Sequence, residues 1–343
     1  MTTANGRRLN GEGTITKLEK YRDRSGYMGR IRLLGVDGKT YRKSVYGKTR
    51  GEVRDKLNEA KRLAAAGIEP NKNETVDQYL TRWHDKDTTL RPKSIHSRKL
   101  NVERMMPHIG GLKLSELGAK HIEAMYRLLA DTLSDRTLVQ VNAVLRKAMK
   151  DAVKEGSIIY NPIDRVLKQP TAVRKEMDTL SSTEVKALLD IDNKWTPLFT
   201  LLTGTGLRIG EALGLEWASV DMEHGVLSVT RSLQNVPKLG FIFNEPKTEA
   251  SRRIVPLNIA VVSAMKTHQA RQASQRLSLG PNWKDQGLVF PNSWGSPMWV
   301  STAQRALDRS LKEVGVDRHI RIHDLRHTCG SLMHQNGVSA KEI

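Results

Sequence analysis

The sequence contains a single cysteine, Cys329, among 343 residues. One thiol cannot form a disulfide within the chain, so a reducing cytosol fits this composition. No stretch approaches the roughly 20 consecutive apolar residues that a membrane-spanning helix needs. Residues 1–10 also lack the apolar core of a signal peptide. The expectation is a soluble cytoplasmic protein that does not contact a membrane.

Aromatic residues make up only 5% of the chain, so its cores are expected to consist mainly of aliphatic side chains. All seven tyrosines lie within the first 160 residues, at positions 21, 27, 41, 46, 79, 126 and 160. Hydrophobic residues still reach 38% of the total, and a chain of this length is expected to form two or three domains.

Acidic residues are outnumbered: 56 Lys and Arg face 37 Asp and Glu, which gives a formal net charge of +19. A surplus of this size favours a polyanionic partner, because each phosphate that a cation neutralises releases condensed counterions. Nucleic acid is the first candidate. The alternative is a basic protein without such a partner, for example a ribosome-associated one.

Residues 1–68 are predicted to form a small α+β domain, a three-stranded sheet followed by a helix. Thr49 and Glu52 have the spacing of a capping box at the start of that helix. Residues 1–70 hold 17 Lys and Arg against 8 Asp and Glu, so the strands offer a basic face to a DNA groove. A solvated basic surface is the alternative. The candidate contacts are Arg22, Arg30, Arg32, Arg42 and Lys43.

A polar segment around Pro70 separates this region from residues 75–168, which are predicted to form an all-α domain. Its clearest element is a long helix on which apolar residues recur at spacings of three and four. These residues are Leu138, Val141, Leu145, Ala148 and Ala152. Arg146 and Lys150 lie off this apolar face and are further candidates for contact with DNA.

After a second linker at residues 169–176, residues 178–343 are predicted to form a mixed, mainly α domain with a small antiparallel sheet. Strands are expected at residues 225–231, 240–243, 252–256 and 288–290. The whole chain is therefore expected to be multidomain, and three motifs in its last region carry candidate chemistry.

The first motif is Thr-Gly-Thr-Gly-Leu-Arg-Ile-Gly-Glu-Ala-Leu-Gly-Leu, residues 203–215. Glycines ahead of a helix leave backbone N–H groups free, and Arg208 in the first turn is placed to face a phosphate. The spacing fits neither the dinucleotide fingerprint nor a P-loop. A buried helix with glycine caps is the alternative interpretation.

The second motif is Pro-Lys-Thr at residues 246–248, ahead of Ser-Arg-Arg-Ile-Val-Pro-Leu. A lysine at the tip of a hairpin can reach into a cleft as an acid. Most loop lysines are simply solvated, so Lys247 alone is weak support for a site.

The third motif is His-Asp-Leu-Arg-His at residues 323–327. His323 and Arg326 are three residues apart, so one helical face presents both. His323 and His327 have the spacing of two metal ligands, but no third ligand is evident, and no metal is expected.

In this order and spacing the three motifs closely resemble those of the tyrosine recombinase (phage integrase) family. The resemblance covers residues 178–343 closely and residues 75–168 by pattern. It covers residues 1–68 by analogy with larger phage integrases that carry an N-terminal arm-binding domain. It implies an arm-type DNA-binding domain, a helical core-binding domain and a catalytic domain that is incomplete at its C-terminal end.

The resemblance also implies a role for each motif residue. Arg208 and Arg326 match the two catalytic arginines, whose paired hydrogen bonds would clamp the scissile phosphate. Lys247 matches the hairpin lysine, a general acid for the leaving 5′ oxygen. His323 matches the histidine that positions the phosphate or shuttles a proton, and Glu211 matches a supporting acidic position.

The implied function is site-specific recombination that integrates or excises a phage or mobile element through a 3′-phosphotyrosine link and a Holliday junction. The implied partners are double-stranded attachment sites of core and arm type, a homotetramer on DNA, a host DNA-bending protein and an excisionase. No metal or nucleotide cofactor is expected, because arginines carry the charge and the covalent link conserves the bond energy. The location would be the nucleoid of a bacterial host.

The family's nucleophilic tyrosine follows the second arginine, and this sequence has no tyrosine there. The chain is therefore expected to bind DNA without cleaving it. Three alternatives stay open: a naturally truncated DNA-binding regulator, a type IB topoisomerase, and a plain basic nucleic-acid-binding protein. The last alternative predicts that Arg208→Ala changes nothing but affinity.

Overall fold

The structure is a computed structural model that describes residues 13–21, 24–34, 40–65, 73–86, 89–173, 177–245 and 252–339. The chain divides into two compact units, Met1–Val173 and Arg174–Ile343. Among the described residues, the first unit contains two separate hydrophobic cores and the second contains one. The predicted classes agree with these cores: a small sheet with a helix, a helical bundle, and a mainly helical region with small antiparallel sheets. The predicted domain bounds stay a prediction.

The first core lies between a sheet and a helix. The strands are β1 (Thr14–Tyr21), β2 (Arg24–Leu34) and β3 (Thr40–Gly47), antiparallel in the order β1-β2-β3, and the helix is α1 (Arg50–Ala65). Ile31 and Leu33 of β2 pack on apolar residues of α1. The predicted capping is present in part: Thr49 Oγ1 accepts a hydrogen bond from the Glu52 N–H, but the Glu52 carboxylate accepts from the Lys48 N–H.

The second core is a bundle of four helices. These are α2 (Val76–Lys86), α3 (Pro92–Ile109), α4 (Ala119–Ala130) and α5 (Asp135–Lys154), with 3-10 turns at Leu114–Glu116 and Pro162–Arg165. The five apolar residues predicted on one face of α5 are all buried. The fully buried Tyr79 of α2 donates a hydrogen bond to the Ala148 carbonyl of α5, which fixes the two helices together.

The second unit is mainly helical. Its helices are α6 (Ser182–Asp190), α7 (Thr196–Thr205), α8 (Ile209–Gly214), α9 (Ile259–Leu279), α10 (Val300–Glu313) and α11 (Asp324–Gln335), with 3-10 turns at Trp217–Ser219 and Gly280–Asn282. Its strands are β4 (Val220–Asp221), β5 (Val226–Val229), β6 (Ser232–Val236), β7 (Gly240–Asn244) and β8 (Arg253–Pro256). They form two antiparallel sheets, β4-β5-β8 and the hairpin β6-β7, where the sequence predicted one.

The strand predicted at residues 288–290 is wrong. Leu288, Val289 and Phe290 are buried, but only Leu288 makes a β-bridge, an isolated one to Glu216. Burial in the core of the second unit, rather than pairing in a sheet, therefore explains this apolar run. Within the residues that the structure describes, no helix combines the length and the apolarity needed to cross a membrane.

Candidate active site

The turn between α7 and α8 presents Arg208. Helix α7 is capped at its C-terminal end by Gly206, whose φ of +62° lies in the left-handed region that glycine tolerates best. Arg208 follows in an extended conformation at the N-cap of α8, and 56% of its side chain is exposed. This sharp turn directs a guanidinium outward from a backbone that is otherwise packed into the core.

The other glycines of the first motif allow close packing. A Cβ atom at Gly204 would lie 2.6 Å from Val261 Cγ2 on α9. A Cβ at Gly210 would lie 2.8 Å from the Leu233 carbonyl oxygen of β6, and one at Gly214 would lie 2.9 Å from the Leu233 nitrogen. Gly204 therefore lets α7 approach α9, and Gly210 and Gly214 let α8 lie directly against β6. This close packing favours the packing interpretation of the motif over a phosphate-binding loop.

Gly210→Ala is expected to destabilise the protein, because the added methyl group has no space against β6. The expected loss is about 1–3 kcal/mol, the range for overpacking a filled core. Urea unfolding would measure it, with Gly111→Ala as the control, since a Cβ at Gly111 meets nothing within 4 Å. Equal unfolding midpoints for the two variants would contradict the packing role.

Glu211 lies beneath Arg208 and is 8% exposed. Its carboxylate accepts hydrogen bonds from the Arg208 backbone N–H and from Arg208 Nη1, both at 2.9 Å. Arg253 of β8 donates to the same carboxylate, from Nη2 at 2.8 Å and from Nη1 at 3.4 Å. Burial raises the pKa of Glu211, but the hydrogen bonds from Arg253 and Arg208 outweigh burial and hold the pKa below its usual value. The carboxylate is therefore charged and shared by two arginines.

Helix α11 supplies Arg326 and His323. Arg326 Nη1 donates to the Gly206 carbonyl, which brings this guanidinium to the same turn as Arg208. Burial lowers the pKa of Arg326, and the nearby positive charge of Arg208 lowers it further. The pKa of His323 is also lowered, by burial first and then by His327 and Arg326, so its imidazole is neutral near pH 7.

Residues in and beside the third motif hold α11 in place. Asp324 is 2% exposed, and Arg321 donates to both of its carboxylate oxygens, at 2.7 and 2.9 Å. Thr328 Oγ1 accepts from the Leu180 N–H at 3.1 Å. The His327 ring meets the His323 ring edge-on, with centroids 5.1 Å apart. The second histidine of the motif therefore packs against the first, beside the site.

Four of the five motif residues with implied roles thus come together: Arg208, Glu211, His323 and Arg326. The fifth, Lys247, lies outside the described residues. In the described part of the chain, no three His, Cys, Asp or Glu side chains converge as metal ligands would. Arg253 was not among the site residues predicted from the sequence. Its only signal was alternation in the strand Arg-Ile-Val-Pro, which places Arg253 and Val255 on the more buried side.

The basic candidates of the sheet divide between its two faces. Arg30, Arg32 and Arg42 are exposed, and Arg32 lies directly across from Arg42 on the face away from α1. Lys43 pairs in register with the buried Ile31, so it lies on the α1 side. Arg22 lies outside the described residues. Contact with DNA stays a prediction for all of them.

The two basic candidates of α5 differ in their surroundings. Arg146 is half-buried, and its Nη1 lies 2.8 Å from the Asp164 carboxylate. Lys150 is exposed. An arginine that already has a carboxylate partner must give it up or share it to bind a phosphate, so Lys150 is the better placed of the two.

Comparison with known proteins matches residues 178–343 to the phage integrase family. A tyrosine recombinase XerC-like protein of Caldanaerobacter subterraneus subsp. tengcongensis is 28% identical, over 90% of this chain and 84% of its own length. An integrase of Saccharopolyspora erythraea is 25% identical, over 98% and 90%.

Solved structures share the fold. The Tn1549 transposon integrase in complex with a circular intermediate DNA superposes with a TM-score of 0.63 at 21% identity, covering 78% of this chain and 89% of that one. A lambda integrase tetramer bound to a Holliday junction gives a TM-score of 0.57 at 16% identity, covering 98% and 94%.

Proposed function

We propose that this chain, which belongs to the phage integrase family of tyrosine recombinases, serves the site-specific integration or excision of a phage or other mobile element. The observation that carries the proposal is the convergence of Arg208, Arg326 and His323 at one turn, above the buried carboxylate of Glu211. Two guanidinium groups beside a neutral imidazole are suited to a phosphodiester, whose non-bridging oxygens gain negative charge during attack.

In the proposed reaction, Arg208 and Arg326 donate hydrogen bonds to the non-bridging oxygens of the scissile phosphate. A tyrosine hydroxyl attacks phosphorus and releases its proton to water, the bond to the 5′ oxygen breaks, and a 3′-phosphotyrosine link forms. Lys247 donates the proton that the leaving 5′ oxygen takes up. The neutral His323 hydrogen-bonds the phosphate or relays a proton. Attack by a new 5′ hydroxyl reverses these steps and joins the exchanged strands.

The nucleophilic tyrosine is not among residues 161–343. We therefore propose that a polypeptide of these 343 residues binds attachment sites without cleaving them. Residues 1–68 would bind arm-type sites, residues 75–168 and 178–343 core-type sites. The assembly on DNA would be a homotetramer, with a DNA-bending protein and an excisionase as partners, in the nucleoid and cytoplasm of a bacterial host.

Selection of bound fragments from random duplex DNA would test this function. Because recombinase protomers bind as symmetric pairs, the enriched fragments are expected to contain two half-sites in inverted orientation, as symmetry requires of dimeric readers. If no sequence were enriched, the chain would be a basic protein that binds DNA without sequence preference, and the proposal would be overturned.

Arg208→Ala and Arg326→Ala are each expected to weaken binding to the selected site by about tenfold or more, the loss for a charge-assisted hydrogen bond. Competition against the wild-type chain would measure this effect. Arg276→Ala is the charge-matched control, because Arg276 lies on α9, is 61% exposed and pairs with Asp285. Equal losses for all three variants would show that only total charge matters and that the two arginines touch no particular phosphate.

A further inference from the structure

Arg253 shares the carboxylate that orients Arg208. Its two Nη atoms lie 2.8 and 3.4 Å from the two oxygens of Glu211, while Arg208 meets the same carboxylate through Nη1 and its backbone N–H. We propose that Arg253 is a positioning residue for the phosphate-binding arginine, acting through Glu211. This inference rests on the proposed function and concerns a residue to which the family resemblance assigns no role.

The exposure of the two arginines separates their roles. The Arg253 side chain is 30% exposed and the Arg208 side chain is 56% exposed. Arg253 also lies in β8, where it pairs with Val229 of β5, so its backbone is fixed by the sheet. Within the described part of the chain, the only partner that the structure gives the Arg208 guanidinium is Glu211. Arg208 therefore has N–H groups available to bind a phosphate, whereas both Nη atoms of Arg253 hydrogen-bond the carboxylate.

The buried carboxylate depends on Arg253. Glu211 is 8% exposed, and a carboxylate removed from water stays ionised only when charged or hydrogen-bonding partners compensate. The side-chain hydrogen bonds from Arg253 lower the pKa of Glu211 more than the side-chain hydrogen bond from Arg208 does. Without Arg253, Glu211 would take up a proton more readily. A protonated Glu211 holds Arg208 less firmly, because a neutral acceptor binds a guanidinium more weakly than a carboxylate does.

Arg253→Gln tests this chain of contacts, and the adjacent Arg252→Gln is its matched control. Arg252 has the same charge, is 61% exposed and pairs with Glu245 instead. A carbon-13 NMR titration of the DNA-free chain would follow the Glu211 carboxyl, assigned by its absence in Glu211→Gln. The half-titration pH is expected to rise by about one pH unit or more in Arg253→Gln, because the main compensating partner is lost. It is expected to stay unchanged in Arg252→Gln. Equal midpoints in the two variants would overturn the proposal.

Arg253→Lys covers the case in which Arg253→Gln does not fold. Lysine keeps the charge but cannot reach both carboxylate oxygens with a planar fork. The pH at which Glu211 is half-titrated in Arg253→Lys is expected to lie between the value in the wild-type chain and the value in a variant with an uncharged residue at position 253. A midpoint identical to wild type would show that Arg253 contributes charge alone and does not fix the geometry of Glu211.

A double-mutant cycle then tests the effect on DNA binding. Arg208→Ala is expected to cost about tenfold in affinity in the wild-type background but less than about threefold in Arg253→Gln, because coupled residues are not additive. Equal costs in both backgrounds would overturn the positioning role. If the wild-type chain retains no attachment-site duplex, the proposed function fails, and the titration of the DNA-free chain still decides whether Arg253 controls Glu211.

Discussion

Raising the salt concentration from 50 to 200 mM is expected to weaken the binding of duplex DNA to this chain by about a thousandfold. The formal net charge of +19 and the basic face of the N-terminal sheet predict many contacts with phosphates. Each contact releases a condensed counterion, so the logarithm of the affinity falls by about 0.9 per contact for each unit in the logarithm of salt. Mobility-shift titrations at four or five salt concentrations would give the slope.

Two triple variants would locate the contacts behind this slope. Replacing Arg30, Arg32 and Arg42 with Gln removes the exposed arginines on the sheet face away from α1, and the slope is expected to fall by about 2 to 3. The control replaces Arg50, Arg54 and Arg62, three exposed arginines of α1, with Gln. The control slope is expected to match the wild-type slope. If the slope fell equally in both triple variants, the sheet face would not be the DNA-binding surface. An affinity that did not change with salt would exclude an interface dominated by phosphate contacts.

Local rules predicted the helical parts of the fold well. The apolar spacing of three and four marked the buried face of α5, because a helix of 3.6 residues per turn places those positions together. The capping-box spacing of Thr75 and Gln78 likewise matches the reciprocal hydrogen bonds that start α2, at 3.1 and 3.2 Å. Both signals involve residues within a few positions of each other, so no knowledge of distant partners was needed.

The errors lie where distant segments meet. Strand β6 was not predicted from the sequence: its burial does not alternate strictly, and α8 packs on it through Gly210 and Gly214. A strand was also predicted at residues 288–290, since an apolar run looks the same in a buried strand and in a buried loop. In each case the deciding partner is far away in the sequence.

The candidate site shows the same division. Arg208, Glu211, His323 and Arg326 were predictable because their motifs resemble those of a family, and the structure brings them together. Arg253 was not predictable, because its importance comes from a carboxylate 42 positions earlier in the chain. No spacing rule links a strand residue to the N-terminus of α8 until the two elements are packed. Neighbouring Arg252 has the same charge and sequence context but pairs with Glu245.

A polypeptide of these 343 residues is expected to form no denaturation-resistant adduct with a nicked attachment-site duplex. Residues 161–343 contain no tyrosine, and two of the earlier tyrosines are buried in the core of the helical bundle. Tyr79 is fully buried, Tyr126 is 6% exposed, and burial raises the pKa of both phenols well above the usual value. Cys329 lies beside Gly206 but is 3% exposed, and burial raises the pKa of its thiol as well. None of these groups is an accessible, ionised nucleophile.

The measurement is a denaturing gel of the chain with an end-labelled nicked duplex, beside a recombinase with an intact tyrosine on its own nicked site as the positive control. A shifted band from this chain would contradict the prediction and show that another residue attacks. Tyr46 and Tyr160 are 42% and 43% exposed, so a substrate phosphate can reach either of them. Loss of the band in Tyr46→Phe or Tyr160→Phe would therefore identify the nucleophile. Because Arg208 and Arg326 stabilise charge on the phosphate whichever group attacks, any such adduct should also disappear in Arg326→Ala.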